Sequence, residues 1–203
     1  MAKDFLSTAQ ISNFDGDPVG SLPAGWTGGF TGTGDARWSV EADGSAPSRP
    51  NVLMQSGSAT FPWCVKKSVS IADGFVEVKF NPISGNQDQA AGVVWRWQDG
   101  DNYYVARANA LEDNVSLYYT ANGRRNTLKY VDAPVAANTW HLLRVEFIGA
   151  SIKVVLDGKA YIEFDDRHIA APGAVGVWTK ADSVTAFDDF GHGGPAMAKP
   201  PVK

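Results

Sequence analysis

The chain of 203 residues contains one cysteine, Cys64, and only three histidines. A single cysteine excludes an internal disulfide, and we interpret Cys64 as a small apolar residue of a strand. The cysteine and histidines show none of the spacing of zinc ligands. No apolar run approaches the roughly 20 residues of a membrane-spanning helix, so no membrane span is expected.

The chain also lacks a strong excess of charge of one sign. Charged residues make up 20% of it, and the formal net charge is −4 at pH 7. Nucleic-acid-binding domains usually carry a strongly basic patch, so no nucleic-acid partner is expected. The hydrophobic content of 44% suits one soluble domain, which at this length can bury a core without disulfides.

Helical patterns are missing as well. No segment repeats apolar residues at positions i, i+3, i+4 and i+7 over three turns, whereas short alternating runs recur between Gly, Asn, Asp and Pro. So many strands in one chain must form two packed sheets or a barrel. The predicted strands are Arg37–Ala42, Asn51–Ser56, Gly74–Phe80, Ala91–Gln98, Asn102–Asn109, Asn114–Ala121, Arg125–Val131, Trp140–Ile148, Ile152–Leu156, Lys159–Phe164, Gly173–Thr179 and Val184–Phe190.

The composition of the ends predicts the limits of the domain. Residues 1–10 are predicted to be an N-terminal extension, residues 11–190 the folded domain, and residues 191–203 a flexible C-terminal tail, because the tail cannot bury a core. The glycine-rich residues 14–34 are predicted to form an ordered loop. His192, inside the predicted tail, is interpreted as solvated.

Two successive hairpins are predicted between Asn138 and Lys159. A tight turn is predicted at Ala150-Ser151 and a second at Asp157-Gly158, since glycine readily adopts the positive φ of such turns. His141 alternates with the core side of its strand, so we interpret it as buried and hydrogen-bonded rather than catalytic.

Strand alternation sorts the remaining side chains onto two faces. The core is predicted to include Trp95, Trp97, Tyr104, Val145, Phe147 and Val175. The opposite face would carry Arg96, Tyr103, Arg107, Asn109, Trp178 and Lys180. Rings stack on the C–H faces of sugars, and the polar groups bind hydroxyls, so this mixture favours a saccharide site. A solvated sheet face without a ligand fits the same pattern. The three cations also leave room for an anionic sugar, or for ion pairs with Asp113 and Asp182.

Four segments resemble a known group of proteins. Gly92–Asn109 and Val177–Phe190 are similar to bacterial jelly-roll domains of the concanavalin A-like lectin and glucanase group, in particular the laminin-G-like and 3-keto-disaccharide hydrolase-like domains. Phe14–Gly16 and Gly20–Trp26 resemble the start of those domains. The likeness covers roughly residues 11–190. It implies an all-β fold, a two-sheet antiparallel β-sandwich of jelly-roll type.

The glycosidases of this group carry Glu-x-Asp-x-x-Glu on one strand, which supplies the carboxylates of their mechanism. The nearest segment here is Glu163–His168, which ends in histidine, so chance explains the similarity better. Hydrolysis of a keto-sugar could use scattered residues such as Asp101, Asp113 or His141, which spacing does not group. No catalytic residue is assigned.

The resemblance also implies a structural Ca²⁺, because similar domains often hold one calcium ion with residues of the first and last strands. The candidate ligands are Asp15, Asp188 and Asp189 through carboxylates, and Gly16 through its carbonyl oxygen. A simple turn at Asp15-Gly16 and a solvated strand edge at Asp188-Asp189 fit the sequence equally well.

The resemblance implies a carbohydrate-binding, lectin-like module that recognises a saccharide on a concave sheet face. It also implies a periplasmic or extracellular protein, although residues 1–10 lack the apolar region of an export signal. Two alternatives stay open. One is a glycoside hydrolase-like enzyme acting on (keto-)disaccharides. The other is a structural or assembly subunit that binds a protein partner through the tail or the sandwich surface. A fold alone decides none of these.

Overall fold

The computed structural model describes residues 9–194, which contain strands and turns but no helix. None of these residues therefore forms a helix long and apolar enough to cross a membrane. The strands are β1 Gln10–Ser12, β2 Thr27–Asp35, β3 Trp38–Ala42, β4 Asn51–Gln55, β5 Ser58–Ile71, β6 Gly74–Ser84, β7 Ala90–Asp99, β8 Asn102–Asn109, β9 Asn114–Ala121, β10 Arg124–Asp132, β11 His141–Ile148, β12 Ser151–Leu156, β13 Lys159–Asp165, β14 Gly173–Trp178 and β15 Val184–Gly193.

The strands form two antiparallel sheets. Sheet 1 has the order β13-β12-β11-β6-β15-β4-β3, with β1 paired to β15. Sheet 2 has the order β10-β9-β8-β7-β14-β5-β2. The sheets pack against each other and do not close into a barrel. The prediction of an all-β, two-sheet antiparallel β-sandwich of jelly-roll type is confirmed.

All the predicted strands are present, but alternation missed three others. β2 lies inside the predicted loop of residues 14–34, because its glycines hide the period-2 pattern. β5 is the longest strand, yet Pro62 and the pair Lys66-Lys67 interrupt its apolar sequence. The third, β1, is short and mostly exposed. Two of the missed strands, β5 and β2, form one side of sheet 2.

The core between the sheets contains most of the predicted residues. Trp95 stacks on Tyr104 and on Phe147, with ring centroids 5.3 and 5.8 Å away, and all three side chains are inaccessible to solvent. Val145 and Val175 are equally buried.

Trp97 is buried too, but on the other face of sheet 2. A bulge between Trp95 and Asp99, with Arg96 at φ 45°, breaks the alternation at this point. The prediction that Trp97 shares the inner core with Trp95 is wrong for this reason.

The two predicted hairpins are present. The β12–β13 turn contains Asp157 and Gly158 at φ 50° and 79°, as predicted. The β11–β12 turn contains Gly149 and Ala150, not Ala150 and Ser151, because Ser151 already pairs with the last residue of β11. Gly149 supplies the positive φ of 58°.

His141 is a buried and satisfied histidine, as predicted. Its Nδ1 lies 2.7 Å from the Asp157 carboxylate, and its Nε2 lies 2.9 Å from the carbonyl oxygen of Ala136. Its ring stacks on Phe80. These contacts fix the start of β11 against the following hairpin.

The last strand extends past the predicted end of the domain. β15 continues to Gly193, and Gln10 of β1 pairs with His192, which is buried. The interpretation of His192 as a solvated tail residue is therefore wrong. Burial, and to a smaller extent the charge of Lys66, lowers the pKa of His192 to about 4. The rest of the predicted tail, residues 195–203, and residues 1–8 lie outside the described residues.

Truncation of Phe147 tests the assignment of faces. We expect Phe147→Ala to lower the free energy of unfolding by about 3–5 kcal/mol, because it removes a buried ring and leaves a cavity. Denaturant unfolding followed by tryptophan fluorescence measures this change. The matched control is Ile148→Ala, at a neighbouring position that is 40% exposed, which should cost far less. Equal losses in the two variants would contradict the assignment.

Candidate functional site

Sheet 2 carries a second apolar layer on the face that points away from the core, called here the outer face. Tyr103 and Trp178 in this layer are 0% exposed. An outer sheet face normally contacts water, so another part of the chain must cover these rings. The layer consists of Trp63, Val65, Val94, Trp97, Tyr103, Val105, Tyr118, Ala174 and Trp178, with Phe61 packed against it.

The cover is sheet 2 itself, which curls over its outer face. Phe61 on β5 stacks on Trp178 of the neighbouring strand β14 with centroids 5.5 Å apart. The Arg125 guanidinium, from β10 at the other side of the sheet, lies 4.8 Å from the same Phe61 ring. In a flat sheet β5 and β10, five positions apart in the strand order, would be separated by about 24 Å. On the edge strand β2, Thr31 is hydrogen-bonded to the Tyr103 hydroxyl at 2.8 Å. The curled sheet therefore encloses its own aromatic layer.

Glycines provide the space for this packing. A Cβ on Gly92 would lie 3.2 Å from the Trp178 ring and 2.8 Å from the carbonyl oxygen of Ala106. A Cβ on Gly29 would lie only 2.4 Å from the Trp63 ring. Larger residues at these positions would push the indoles out of the layer.

A charged cluster replaces the aromatic layer near the start of β7. Asp88 is 0% exposed and forms ion pairs with Lys180 and, at 3.9 Å, with Arg107. Arg107, which is 2% exposed, donates to Glu112 at 2.6 Å, and Asn109 donates to Asp88. Buried charges are costly unless they are paired and hydrogen-bonded, and both carboxylates here have a cationic partner.

The cluster continues outward to the edge strand β10. The Asn114 amide donates to Glu112 at 2.8 Å and to the Tyr130 hydroxyl at 2.7 Å, while the Tyr130 ring is 49% exposed. Burial alone would raise the pKa of Glu112, but the Asn114 hydrogen bond and the charge of Arg107 outweigh it and lower the pKa. Glu112 is therefore ionised at neutral pH.

An open groove of about 500 Å³ lies where the two sides of the curled sheet meet. It combines an aromatic ring, two cations, an amide and several hydroxyls. These groups lie next to the paired carboxylate Asp88, which anchors Lys180. The lining residues are Thr33, Gly34, Ser58, Ala59, Thr60, Phe61, Gln87, Arg125, Lys180 and Ala181.

The predicted binding residues do not form one open surface. Lys180 lines the groove, but four others are buried beneath the closure of sheet 2, on the predicted face: Tyr103, Arg107, Asn109 and Trp178. Arg96 is not on this face at all, because the bulge that displaces Trp97 also redirects it. Its guanidinium is 5.7 Å from the Phe147 ring of the inner core, and it donates to the backbone carbonyls of Ala72, Gly149 and Ile169.

Sequence reasoning predicted only Lys180 among the groove residues, and it missed Phe61, Arg125 and the adjacent Asp88. Phe61 lies in β5, a strand that the apolar pattern did not reveal, and Asp88 lies in the turn before β7. Arg125 begins a predicted strand whose faces were not assigned. Hairpin register was the available signal, since Arg125 pairs with Thr120 and Thr120 pairs with Tyr103.

The candidate calcium ligands are divided between two environments. Ser48 donates to Asp188 from its backbone N and its Oγ, each at 2.7 Å, and Asn51 N donates to Asp15 at 3.1 Å. Asp15 and Asp188 thus hold the same segment before β4. Asp188 is 0% exposed, and burial raises its pKa.

The Asp189 side chain does not join this arrangement. It forms an ion pair with Lys79 at 2.8 Å, although the Asp189 backbone N donates to Asp188 at 2.7 Å. Residues 9–194 contain no group of three or more His, Cys, Asp and Glu side chains placed to hold a metal ion. Any cation near Asp15 and Asp188 would therefore need backbone or amide oxygens as well.

The segment nearest to the glycosidase motif lies apart from the outer face of sheet 2. Asp166 accepts hydrogen bonds from the hydroxyl of the core residue Tyr104 and, at 2.8 Å, from His168. The His168 ring stacks on Tyr119 with centroids 3.9 Å apart. Burial alone would raise the pKa of Asp166, but these hydrogen bonds lower it. These hydrogen bonds join the segment to the inner core through Tyr104.

Comparison with known proteins identifies the fold. No family model matches the chain, and no curated protein matches its sequence. The carbohydrate-binding module CBM66 from Bacillus subtilis superposes with a TM-score of 0.68 at 22% identity, over 85% of this chain and 98% of that one. The Bacillus licheniformis β-glucanase superposes with a TM-score of 0.62 at 15% identity, over 93% and 99%.

A third solved structure has the same fold. The exoplasmic/lumenal domain of VIP36, in its Ca²⁺/Man-bound form, superposes with a TM-score of 0.59 at 12% identity, over 97% of this chain and 93% of that one. The similarity to all three lies in the fold, over most of each chain. This chain has the concanavalin A-like jelly-roll fold.

Proposed function

We propose that this protein binds a saccharide non-covalently in the groove lined by Phe61, Arg125 and Lys180. The observation that carries the proposal is the composition of that groove, where a ring, two cations, an amide and hydroxyls share one open depression. The fold supports it, because solved structures with this fold include a carbohydrate-binding module and a structure with bound Man. A saccharide ligand also fits a periplasmic or extracellular protein.

Sugars are amphipathic, and the groove matches both sides of that character. The C–H faces of a pyranose or furanose ring can pack on the accessible part of Phe61, whose far side rests on Trp178. The amide of Gln87 and the ammonium of Lys180 can bind hydroxyls. Asp88 already holds Lys180 in place, so little side-chain freedom is lost on binding.

The placement of carboxylates around the outer face of sheet 2 favours saccharide binding over hydrolysis. The side chains that β7, β8, β9 and β14 direct outward are apolar, aromatic, hydroxyl, amide or arginine, and none is a carboxylate. Asp88 and Glu112, at the rim, are each paired with a cation. A glycosidase needs one carboxyl group as a protonated acid, whereas the pKa of Glu112 is lowered.

A structural Ca²⁺ beside Asp15 and Asp188 is the second part of the proposal. The Asn51 Nδ2 lies 3.5, 3.3 and 3.3 Å from the carbonyl oxygens of Phe14, Asp15 and Asp17. Two N–H groups cannot fully satisfy three acceptors at such long distances. Calcium prefers carbonyl and carboxylate oxygens of this kind. Asp188, buried and without a cationic partner among the described residues, would supply the charge that a cation balances.

Titration calorimetry with neutral and acidic oligosaccharides tests the binding proposal. We expect Phe61→Ala to weaken binding of any bound saccharide by about three- to tenfold, since aromatic packing is worth about 0.5–1.5 kcal/mol. The matched control is Phe30→Ala, which removes a ring that is 39% exposed and does not line the groove. A bound saccharide whose affinity is unchanged by Phe61→Ala would place recognition elsewhere on the molecule.

Chelation tests the calcium proposal. We expect the melting temperature to fall in EDTA and to recover with Ca²⁺, because a ligand that binds only the folded state adds about 2.7 kcal/mol at a hundredfold excess over Kd. Asp188→Asn should abolish this response. Asp189→Asn should keep it, because Asp189 pairs with Lys79. A wild-type melting temperature that is indifferent to EDTA and Ca²⁺ would show that no such site exists.

A further inference from the structure

Arg125 is held in the groove by aromatic rings rather than by a carboxylate. Its Cζ lies 4.3 Å from the centroid of Tyr118, 4.8 Å from that of Phe61 and 5.9 Å from that of Trp178. Ring faces attract a guanidinium, but they do not provide the oxygen acceptors that its N–H groups require. The Nη1 atom is buried and has no hydrogen-bond partner in the described part of the chain, residues 9–194.

The neighbouring charges are already paired with one another. Among the described residues, Asp88 forms its ion pairs with Lys180 and Arg107, and Glu112 forms its ion pair with Arg107. These ion pairs occupy Lys180 and Arg107, and the nearby Asp182 carboxylate accepts hydrogen bonds from the backbone N atoms of Asn86, Gln87 and Asp88. Arg125 is the groove cation that has no ion pair within residues 9–194.

An unpaired and partly buried guanidinium is unfavourable in the free protein. Burial lowers the pKa of Arg125, the nearby charge of Arg107 lowers it further, and interactions with Tyr118 and Asp88 only partly oppose these effects. A buried donor without an acceptor loses the hydrogen bonds that water would provide. Arg125 is only half-buried, so an anionic group in the groove could pair with the guanidinium and accept hydrogen bonds from the N–H groups that reach the groove.

We infer that the saccharide bound in the groove is acidic, and that the carboxylate of a uronic acid residue pairs with Arg125. This inference rests on the proposed function and names its substrate class. The planar guanidinium can donate two parallel N–H groups to the two oxygens of one carboxylate. Lys180, on the same groove and paired with Asp88, can donate a further hydrogen bond to the ligand. A neutral sugar offers hydroxyls to the same atoms but cannot neutralise the excess cation.

Comparing each acidic oligosaccharide with its own neutral form separates the contribution of the carboxylate charge to affinity from that of the sugar rings and hydroxyls. The probes are trigalacturonate and trimannuronate, each compared by titration calorimetry with its carboxyl-reduced neutral form. We expect at least one acidic trimer to bind about tenfold or more tightly than its reduced form, because a hydrogen bond to a charged group is worth about 1.5–3 kcal/mol. Added salt should narrow this difference, since the groove is open to solvent.

Variants of β10 assign the preference to one guanidinium. Arg125→Gln should reduce the acidic-to-neutral ratio to about one, and Arg125→Lys should leave part of it, because lysine keeps the charge but loses the fork. The matched control is Arg124→Gln, which removes the same charge from the neighbouring exposed position and should leave the ratio unchanged. If Arg125→Gln fails to fold, Arg125→Lys against Arg124→Lys makes the comparison.

The outcomes distinguish the two levels of the proposal. Equal binding of acidic and reduced trimers, or an acidic preference that survives Arg125→Gln, overturns the inference and leaves saccharide binding standing. If Arg124→Gln removes the acidic preference as fully as Arg125→Gln does, the preference comes from the overall positive charge of this region, and the inference about Arg125 is also overturned. Absence of binding to these probes and to a broad neutral glycan panel overturns the proposed function, and the inference with it.

Discussion

The contact of the Arg125 guanidinium with the Phe61 ring is the one on which the outer face of sheet 2 depends. It joins the edge strand β10 to β5, five positions away in the strand order, and Phe61 in turn stacks on Trp178 of the neighbouring strand β14. The packing is feasible only because Gly92 leaves space for the indole. A flat sheet would instead expose a broad aromatic surface to water, which soluble proteins rarely tolerate.

The closure determines where a ligand can bind. Because the middle of the curved face is filled by side chains, the available depression lies at its rim, where β2, β5, β10 and the loop after β14 meet. Polar groups dominate there, and the charged cluster of Asp88, Arg107 and Glu112 supports them from below. The strands thus provide a rigid support, while edge strands and turns provide the chemistry of the groove.

Much of the fold could be predicted from period-2 alternation, and the failures have identifiable physical causes. Alternation located β8 and β9 with their bounds, and it placed Trp95, Tyr104 and Phe147 in the inner core. It failed at Trp97 because a bulge after Trp95, which no local pattern announced, moved Trp97 to the other face of the sheet.

The candidate site was harder to predict than the fold, because it depends on curvature. Strand alternation placed Tyr103 and Trp178 on the outer face, yet alternation does not tell whether a face is open to solvent or covered by other residues. The cover comes from Phe61, in a strand hidden by Pro62 and two lysines, and from Arg125, about sixty residues further along the chain. Contacts between such distant segments leave no signature in local sequence.

The burial of the sole cysteine makes its chemical reactivity a measure of local opening of the structure. Cys64 lies on β5, between the residues that carry the closing contact and the rest of that strand, and it is 0% exposed. Burial raises the pKa of its thiol, so the reactive thiolate is scarce while sheet 2 stays packed. Its side chain packs in the core between the two sheets, so alkylation of this thiol counts the molecules in which that core has opened at β5. The rate of labelling therefore reports the local stability of the inner core beside the closure.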